Sequence, residues 1–244
     1  MKLSNPASRS DLHIKRKDKV LEVGGGDHPH PRANVVVDKY VDSNFHRGGN
    51  IRVLRHQEFL NADGEALPFE DKSFDYVICS HVLEHVDNPI KFMSEQMRVA
   101  PAGYLETPSV IGECLMPKAS HRWVLLEIDD KIVMYEKEKI GFQAWQDLSY
   151  VFQHYLPENS IGYKIMQRTH ADLTIVNYEW SEKVELLINP DSTYYSDYFT
   201  QPWDEAACNK FLTQRSLGKE SVSSARAMLD IIRSVFRSRV LKRG

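Results

Sequence analysis

The chain has 244 residues, of which 42% are hydrophobic, so it is long enough to bury the core of one α/β domain with additional segments. Its formal charge of −3 argues against broad nucleic-acid binding. The three cysteines are widely spaced and form no C-x-x-C pair, which argues against a disulfide framework or a cysteine zinc site. Without a signal-like N-terminal segment or an apolar run of membrane-spanning length, the sequence favours a cytoplasmic protein.

Strand and helix patterns alternate along the first half of the chain. The polar, basic residues 1–17 are predicted to form a loose arm. The predicted strands lie at 19–23, 35–38, 56–60, 74–79 and 103–107, with a helix at 89–98. This alternation predicts an α/β fold with a doubly wound, mostly parallel, Rossmann-like sheet. Residues 173–178 and 183–188 are predicted to form an antiparallel hairpin that closes the sheet.

Three glycines follow the first predicted strand. Gly24, Gly25 and Gly26 can bring bare backbone close to a ligand, because glycine has no Cβ and accepts positive φ. The next strand ends on Asp38, whose carboxylate can accept both hydroxyls of a ribose. Ligands of open α/β sheets bind at the carboxyl ends of the strands. The pattern favours a nucleoside site, although an ordinary glycine turn and a solvated aspartate fit the same residues.

The spacing in this segment does not match a dinucleotide site. A G-x-G-x-x-G fingerprint opens a helix and has its acid about 20 residues later. Here Pro29 occupies the third glycine position, and Asp38 follows Gly24 by 14 residues. Pro29 and Pro31 leave too little chain for a full helix, so little helix dipole is available to a pyrophosphate. A nucleoside without phosphates, such as S-adenosylmethionine, fits better.

A second group of motifs occupies residues 62–86. The segment ADGEALPF at 62–69 precedes FDYVICS at 74–80, and HVLEHV at 81–86 is predicted to begin a helix. With the glycine turn, these motifs resemble the class I S-adenosylmethionine-dependent methyltransferases, in the type 11-like branch, over roughly residues 18–109. The chain departs from the family pattern at its short first helical region and at His28, where many members have a further glycine.

The resemblance implies S-adenosylmethionine as the cofactor, bound at the strand ends. The implied cofactor residues are Glu22, Gly24, Gly25 and Gly26 at the methionine end, Asp38 at the ribose, Asp63 and Gly64 at the adenine, and Ser80 and His81 beside the sulfur. A methyltransferase domain is therefore expected over residues 1–190, with a C-terminal segment over 191–244.

A long insertion at about 109–169 follows the fifth predicted strand and is expected to select the substrate. Within it, 122–128 and 131–135 are predicted to be strands turned at Asp129-Asp130, and 142–156 is predicted to be a helix. The apolar stripe of that helix, which favours packing on the domain, is Trp145, Leu148, Phe152 and Tyr155.

The candidate acceptor site lies around the segment ASHRW at 119–123. His121 is the first candidate base, because its unperturbed pKa lies near neutrality. Glu106, at the end of the fifth predicted strand, should face the methyl group, and Arg122 and Trp123 would contact the acceptor. The H-x-W segment resembles methyltransferases of glycan-assembly gene clusters. The alternative is that His121 satisfies a turn and Trp123 packs in the core.

Two groups of residues have partial metal-site patterns. His81, Glu84 and His85 lack the H-E-x-x-H order of a zinc site, and no metal is predicted there. Asp129, the second candidate catalytic residue, could hold magnesium next to a sugar diol together with Asp130 and Glu127. A hairpin turn explains the two aspartates equally well.

The C-terminal segment combines aromatic residues with an amphipathic helix from Ser223. The aromatic group, which could cover an acceptor pocket or the core, is Tyr194, Tyr195, Tyr198, Phe199 and Trp203. The apolar face of the helix is Met228, Leu229, Ile232, Val235 and Phe236. Its basic end is Arg233, Arg237, Arg239, Lys242 and Arg243. These residues could contact an anionic membrane surface, while packing on the domain or on a second subunit of a homodimer is the alternative.

These patterns favour an S-adenosylmethionine-dependent O-methyltransferase that acts on a sugar hydroxyl of a glycan or glycoconjugate. One alternative is a small aromatic or lipid-like acceptor, because the same fold supports many functions. Another is a non-catalytic binding or regulatory module that keeps the fold. The retention of Glu22, Asp38 and Asp63 argues against the last of these.

Overall fold

A computed structural model describes residues 1–6, 8–44, 49–144 and 146–240, with backbone alone for 234, 235 and 237–240. Its strands are β1 (Lys2–Ser4), β2 (Val20–Val23), β3 (Val35–Asp38), β4 (Glu58–Asn61), β5 (Tyr76–Ser80), β6 (Ala102–Pro108), β7 (Trp123–Ile128), β8 (Lys131–Glu136), β9 (Ile175–Ser181) and β10 (Leu186–Ile188). Its α-helices are α1 (Pro89–Val99), α2 (Val110–Leu115), α3 (Lys137–Ile140), α4 (Leu156–Asn159), α5 (Ile161–Thr169), α6 (Thr193–Thr200), α7 (Glu205–Phe211) and α8 (Leu217–Val240).

The central sheet has the order β1-β9-β6-β5-β2-β3-β4. Strands β4, β3, β2, β5 and β6 are parallel, and β9 is antiparallel to both of its neighbours. The fold is therefore the predicted mixed α/β, Rossmann-like fold. The strand order reverses between β2 and β5, and such a point leaves a crevice at the carboxyl ends of the strands. As predicted, residues 24–34 between β2 and β3 contain no helix.

Two predictions about the edge of this sheet were wrong. The arm 1–17 is not loose, because β1 pairs with β9 and places Lys2 opposite Trp180. The predicted closing hairpin does not form, because β10 pairs in parallel with β8 in a second sheet. Since β1 already occupies the outer side of β9, the chain after Glu182, which has a φ of +63°, leaves the central sheet.

The second sheet has the order β10-β8-β7, and its β7–β8 hairpin confirms the prediction. Asp129 and Asp130 both have positive φ, as the two central residues of a type I′ turn require. The two faces of the sheet pack differently. One face joins the core under the central sheet, and the other packs against aromatic side chains of α6 and α7, including the buried Phe199. That aromatic group therefore contributes to a second core.

Two helix predictions were wrong in their extent. Residues 81–86 form turns instead of a helix, and His81 has a φ of +55°. The predicted helix at 142–156 begins later, because residues 142–144 and 146–148 are not helical, and a π-helical segment at Val151–Tyr155 leads into α4. Trp145 lies outside the described residues. The backbone N–H of Ser149 donates to the carboxylate of Asp147 at 2.8 Å, a side-chain cap that places the start of the helix there.

Helix α8 buries a narrower stripe than the predicted one. Ala227 and Ile231 are buried, and the helix contacts α5, but Leu229, Ile232 and Phe236 remain exposed. The side chains of Val235, Arg237 and Arg239, like residues 241–244, lie outside the described part, and the membrane or subunit contact stays a prediction. Over the described ranges, no helix combines the length and the apolar character needed to cross a bilayer.

A buried carboxylate fastens the N-terminal segment to the central sheet. Glu179 is fully buried and accepts hydrogen bonds from the hydroxyls of Tyr76 at 2.6 Å and Ser4 at 2.8 Å, and from the backbone N–H of His13 at 2.8 Å. Burial raises its pKa, but these donors and the His13 ring outweigh burial and hold the pKa below the ordinary value. The carboxylate form is therefore the one that the fold stabilises.

We expect Glu179→Gln to lower the free energy of unfolding by about 1–3 kcal/mol at pH 7, because charged hydrogen bonds are lost. Since the folded pKa is depressed, this contribution is present above the unfolded pKa of about 4.3 and is lost as the pH falls through the folded value. Urea unfolding at pH 7 and pH 3 measures this effect. The difference in free energy of unfolding between the variant and the wild type should be smaller at pH 3 than at pH 7. Glu182→Gln, at an exposed position, is the control, and an equal effect there would contradict the role of Glu179.

Candidate functional site

A cavity of about 310 Å³ opens at the crevice beside the carboxyl ends of β2 and β5. Ligand pockets usually measure about 300–1,000 Å³, so the volume suits one small molecule. The ends of β2, β3 and β5 and the segment after β4 all contribute to its wall. All nine residues predicted to hold the cofactor line it: Glu22, Gly24, Gly25, Gly26, Asp38, Asp63, Gly64, Ser80 and His81.

The glycine turn is needed for both its backbone angles and its lack of side chains. Gly24 has a φ of +75°, and a Cβ there would lie 2.1 Å from Cγ2 of Val82. Gly26 has a φ of +52° with open space around its missing Cβ. Positive φ costs glycine little and other residues considerably more. The turn thus leaves bare backbone at the wall of the cavity.

Glu22, at the bottom of the cavity, pairs with an arginine of the N-terminal segment. Arg9 donates from Nη2 to Oε1 of Glu22 and from Nη1 to the carbonyl of His28 at 3.2 Å. The backbone N–H of His30 donates to the other oxygen of Glu22. Burial raises the pKa of Glu22, and Arg9 and the His30 N–H oppose this rise. The site therefore presents a cation and an anion side by side.

Sequence reasoning missed Arg9, which lines the cavity. Nothing in the polar arm distinguishes it from the neighbouring basic residues Lys15, Arg16 and Lys17. The pairing of β1 with β9 and the contacts of His13 with Glu179, both far apart along the chain, help to hold this segment near the end of β2.

The opposite end of the cavity also holds a paired carboxylate. Asp63 accepts from Nζ of Lys39 at 2.7 Å and from the backbone N–H of Glu65 at 2.9 Å. Burial raises the pKa of Asp63, but these two donors outweigh it and lower the pKa. Ser80, in contrast, has a buried Oγ without a hydrogen-bond partner among the described residues. A buried polar atom at a cavity wall costs free energy unless a ligand or water satisfies it.

His81 bridges two acids at the end of β5. Its Nδ1 lies 3.3 Å from Oε1 of Glu84, and its Nε2 lies 3.3 Å from Oε1 of Glu106. Burial lowers the pKa of His81, but both carboxylates outweigh burial and raise the pKa to about 9. His81 is thus a cation at neutral pH. Glu106, held also by the Tyr104 hydroxyl at 2.7 Å, does not line the cavity itself.

His121 lies behind the cavity wall, which conflicts with a base that touches the acceptor. Its side chain is 3% exposed, and Nδ1 lies 2.5 Å from Oε2 of Glu113. The ring of His121 packs edge-on against that of His85, which does line the cavity. His121 is thus separated from the cavity by His85, and the structure does not place it for direct proton transfer.

The structure buries Trp123, against its predicted contact with the acceptor, whereas the predicted contact of Arg122 stays a prediction. Trp123 is 4% exposed in the core under the central sheet, and its indole N–H donates to the carbonyl of Val86 at 2.8 Å. A buried indole offers no face to a sugar. Arg122 is exposed and pairs with Glu136 and Asp87. Both faces of β7 are buried, and Trp123 shares with Leu125 the face that packs into the core under the central sheet.

Asp129, the second candidate catalytic residue, does not line this cavity, and its catalytic role stays a prediction. Its carboxylate accepts from Nζ of Lys210 at 2.6 Å and from the Tyr194 hydroxyl at 2.8 Å. Glu127 and Asp130 both pair with Lys2. The three acids of the predicted magnesium group thus pair with two lysines at the second-sheet turn.

Comparison with known proteins identifies the central part of the chain. Residues 36–106 match the family of the methyltransferase domain. A malonyl-[acyl-carrier protein] O-methyltransferase of Marinomonas sp. is 24% identical over 133 residues, which are 51% of this chain and 49% of that protein. An uncharacterized methyltransferase of Mycobacterium avium is 34% identical over 94 residues, covering 35% of this chain and 36% of that protein.

A solved structure from Thermotoga maritima, described as an S-adenosylmethionine-dependent methyltransferase and possible histamine N-methyltransferase, has 21% identity and a TM-score of 0.30. It covers 40% of this chain and 46% of that chain. The chain spans about half or less of the length of these curated relatives. Residues 36–106 thus match a methyltransferase domain, and they lie within a chain that has a Rossmann-like fold.

Proposed function

We propose that the protein is an S-adenosylmethionine-dependent methyltransferase. The observation that carries this proposal is the single cavity wall formed by the glycine turn, the ends of β3 and β5 and the segment after β4. Three features of the wall fit the cofactor. The Arg9–Glu22 pair suits a zwitterionic amino acid, Asp38 suits a ribose diol, and the unpartnered Ser80 hydroxyl offers a further hydrogen bond.

The residues of the cavity would act mainly by positioning. The cofactor supplies an activated methyl group on a sulfonium, and its transfer to a nucleophile is an in-line displacement. Holding two reactants in a near-attack geometry can contribute about 7–11 kcal/mol to catalysis. Arg9 and Glu22 would fix the amino-acid end, and Asp38 would fix the sugar. The cationic His81 would sit between these ends, because it lies at the end of β5.

For the acceptor we propose a sugar hydroxyl of a glycan. Besides the cofactor residues, the cavity is lined by three further acids, Asp27, Glu65 and Asp87. Carboxylates accept hydrogen bonds from sugar hydroxyls and repel anionic acceptors. This feature favours a neutral polyol over the acidic malonyl group named for the Marinomonas relative.

Methyl transfer from methyl-labelled S-adenosylmethionine to a panel of acceptors tests this proposal. The panel would contain neutral glycans, aromatic alcohols, and acyl chains with and without a carboxylate. We expect label in the glycan fraction, with alkali-stable ether linkages. Label confined to aromatic or acyl acceptors would overturn the sugar proposal. Cofactor binding without transfer to any acceptor class would favour a non-catalytic module.

Asp38→Ala should weaken S-adenosylmethionine binding by about 1–3 kcal/mol, which corresponds to about 5- to 150-fold in Kd. The reason is that a ribose diol would lose its charged acceptor. Titration calorimetry of the variant and the wild type measures the difference. Asp42→Ala, at an exposed position four residues after Asp38 that does not line the cavity, is the matched control. Equal affinity of the Asp38 variant and the wild type would remove Asp38 from the ribose site.

A further inference from the structure

Three side chains with metal-ligating atoms converge behind the cavity wall. One atom each from Glu84, His85 and His121 forms a group in which all atoms lie within 4.8 Å of one another. Glu84 is fully buried and His121 nearly so, while His85 is partly exposed and lines the cavity. The cluster joins residues from the turn after β5 to a residue of the insertion before β7.

The supporting hydrogen bonds leave the metal-binding nitrogen of each ring as an acceptor. Nδ1 of His85 lies 2.8 Å from the carbonyl of Ser120, which can only accept, so Nδ1 carries the proton. Nδ1 of His121 lies 2.5 Å from Oε2 of Glu113, a carboxylate that also accepts from Lys137. In a neutral imidazole, a proton on Nδ1 places the lone pair on Nε2. Metal-bound histidines almost always have such a carbonyl or carboxylate on the second nitrogen.

Two buried atoms of the cluster lack hydrogen-bond partners among the described residues. These are Nε2 of His121 and Oε2 of Glu84. Nε2 of His121 lies 3.9 Å from Oε1 of Glu84, which is too long for a hydrogen bond. Leaving such groups buried without partners costs free energy. A metal ion between them would satisfy both the imidazole and the carboxylate.

We propose that Glu84, His85 and His121 are the ligands of a divalent transition-metal ion of the zinc class. Two imidazoles and one carboxylate form a known zinc ligand set, which leaves a fourth position for water or substrate. Nitrogen ligands favour such metals over magnesium or calcium. At bond lengths of about 2.0–2.2 Å, tetrahedral ligand atoms lie roughly 3.4 Å apart. The ligand atoms, which lie within 4.8 Å of one another and 3.9 Å apart between Nε2 of His121 and Oε1 of Glu84, would therefore move inward on metal binding.

The site would tie the insertion to the cavity wall. The backbone N–H groups of Arg122 and Trp123 already donate to the carbonyl of Glu84, at 2.9 and 3.1 Å. Because His85 belongs to both the cluster and the wall, the fourth metal position lies next to the cavity. None of the three ligands is among the residues proposed to hold the cofactor, although Glu84 pairs with His81 of that group, so zinc binding can be measured without the cofactor. His121 and Glu113, residues of the insertion, thereby receive roles that do not require contact with an acceptor.

The test is a zinc titration of chelator-treated full-length protein, in competition with a chromophoric chelator and without S-adenosylmethionine. We expect one zinc ion per chain, a higher melting temperature with zinc, and no comparable binding of magnesium. Glu113→Gln should weaken zinc binding about 10- to 100-fold, the usual cost of losing a group that orients a ligand. His85→Gln should weaken it further, because a ligand is lost.

Two control variants and two further measurements on His85→Gln distinguish loss of the metal site from other effects. His154→Gln removes an exposed histidine and Asp129→Asn removes an acid of the second-sheet turn, and both should bind zinc like the wild type. The melting temperature of metal-free His85→Gln checks that this variant folds. The visible absorption of bound Co²⁺ should change between the wild type and His85→Gln. Absence of stoichiometric zinc binding, or unchanged binding by a folded His85→Gln variant, would overturn the proposal, as would loss of binding in Asp129→Asn.

Discussion

Arg9→Met is expected to lower the free energy of unfolding at pH 7 by about 3–5 kcal/mol, because it leaves a buried carboxylate without its cation. Glu22 is 1% exposed, and the backbone N–H of His30 would remain as its other polar donor. Methionine preserves most of the apolar stem of arginine. The loss of stability is therefore due mainly to removal of the positive charge. Urea unfolding followed by circular dichroism measures this difference. The same variant should bind S-adenosylmethionine more weakly, since Arg9 lines the cavity.

The pH dependence of Arg9→Met follows from the pKa of Glu22. Burial already raises this pKa, and Arg9 opposes the rise, so the variant should raise it further. A carboxyl with a raised folded pKa contributes most below its unfolded pKa of about 4.3, and loses this contribution as the pH rises through the folded value. The free energy of unfolding of the variant should therefore be closest to that of the wild type near pH 4. The difference between the two should be largest at neutral pH.

The double variant Arg9→Met/Glu22→Gln distinguishes the effect of the ion pair on stability from its effect on cofactor binding. Replacing the buried charge with a neutral amide should restore most of the stability at pH 7, but it should not restore cofactor affinity. If Arg9→Met has wild-type stability with an unchanged pH profile, the buried ion pair does not contribute as described.

Trp123→Ala should lower the free energy of unfolding by about 3–5 kcal/mol, the usual cost of removing a large aromatic side chain from a core. Trp123 is 4% exposed, and its indole N–H satisfies the Val86 carbonyl, so the variant also leaves a carbonyl without its donor. Chemical denaturation at constant temperature measures the loss.

Trp203→Ala serves as the comparison, because Trp203 is only partly buried at the edge of the second core. Trp203→Ala should lower the free energy of unfolding by less than Trp123→Ala does. A Trp123→Ala protein with unchanged stability but weakened glycan binding would contradict the core assignment and restore the acceptor role predicted from sequence.

The cofactor side of the cavity was predictable because its signals are local. In a parallel sheet, the carboxyl ends of neighbouring strands lie at the same edge. A glycine turn after one strand therefore lies near an acid at the end of the next, such as Asp38, and this does not depend on the conformation of the loops. Gly64 and Ser80 follow the same rule, and all nine predicted residues line one cavity. The β7–β8 hairpin was equally local, because Asp129-Asp130 suits a turn with positive φ.

The remaining features depend on contacts between distant parts of the chain. Arg9 pairs with Glu22 from a segment that is held by the pairing of β1 with β9, whose residues lie more than 170 positions away. His121 resembles a catalytic base in sequence, but Glu113 and the turn at Glu84 enclose it. The sequence pattern of His81, Glu84 and His85 suggested neighbours on one helix, whereas the turn there brings Glu84 and His85 together with His121.

The most direct test of the account is calorimetric titration of the wild-type protein with S-adenosylmethionine and its demethylated product. We expect both ligands to bind at one site per chain, and we expect Asp38→Ala and Arg9→Met/Glu22→Gln to remain folded and to bind both ligands more weakly. Absence of binding by a folded wild-type protein, or binding that neither variant changes, would contradict the assignment of the cavity as the cofactor site.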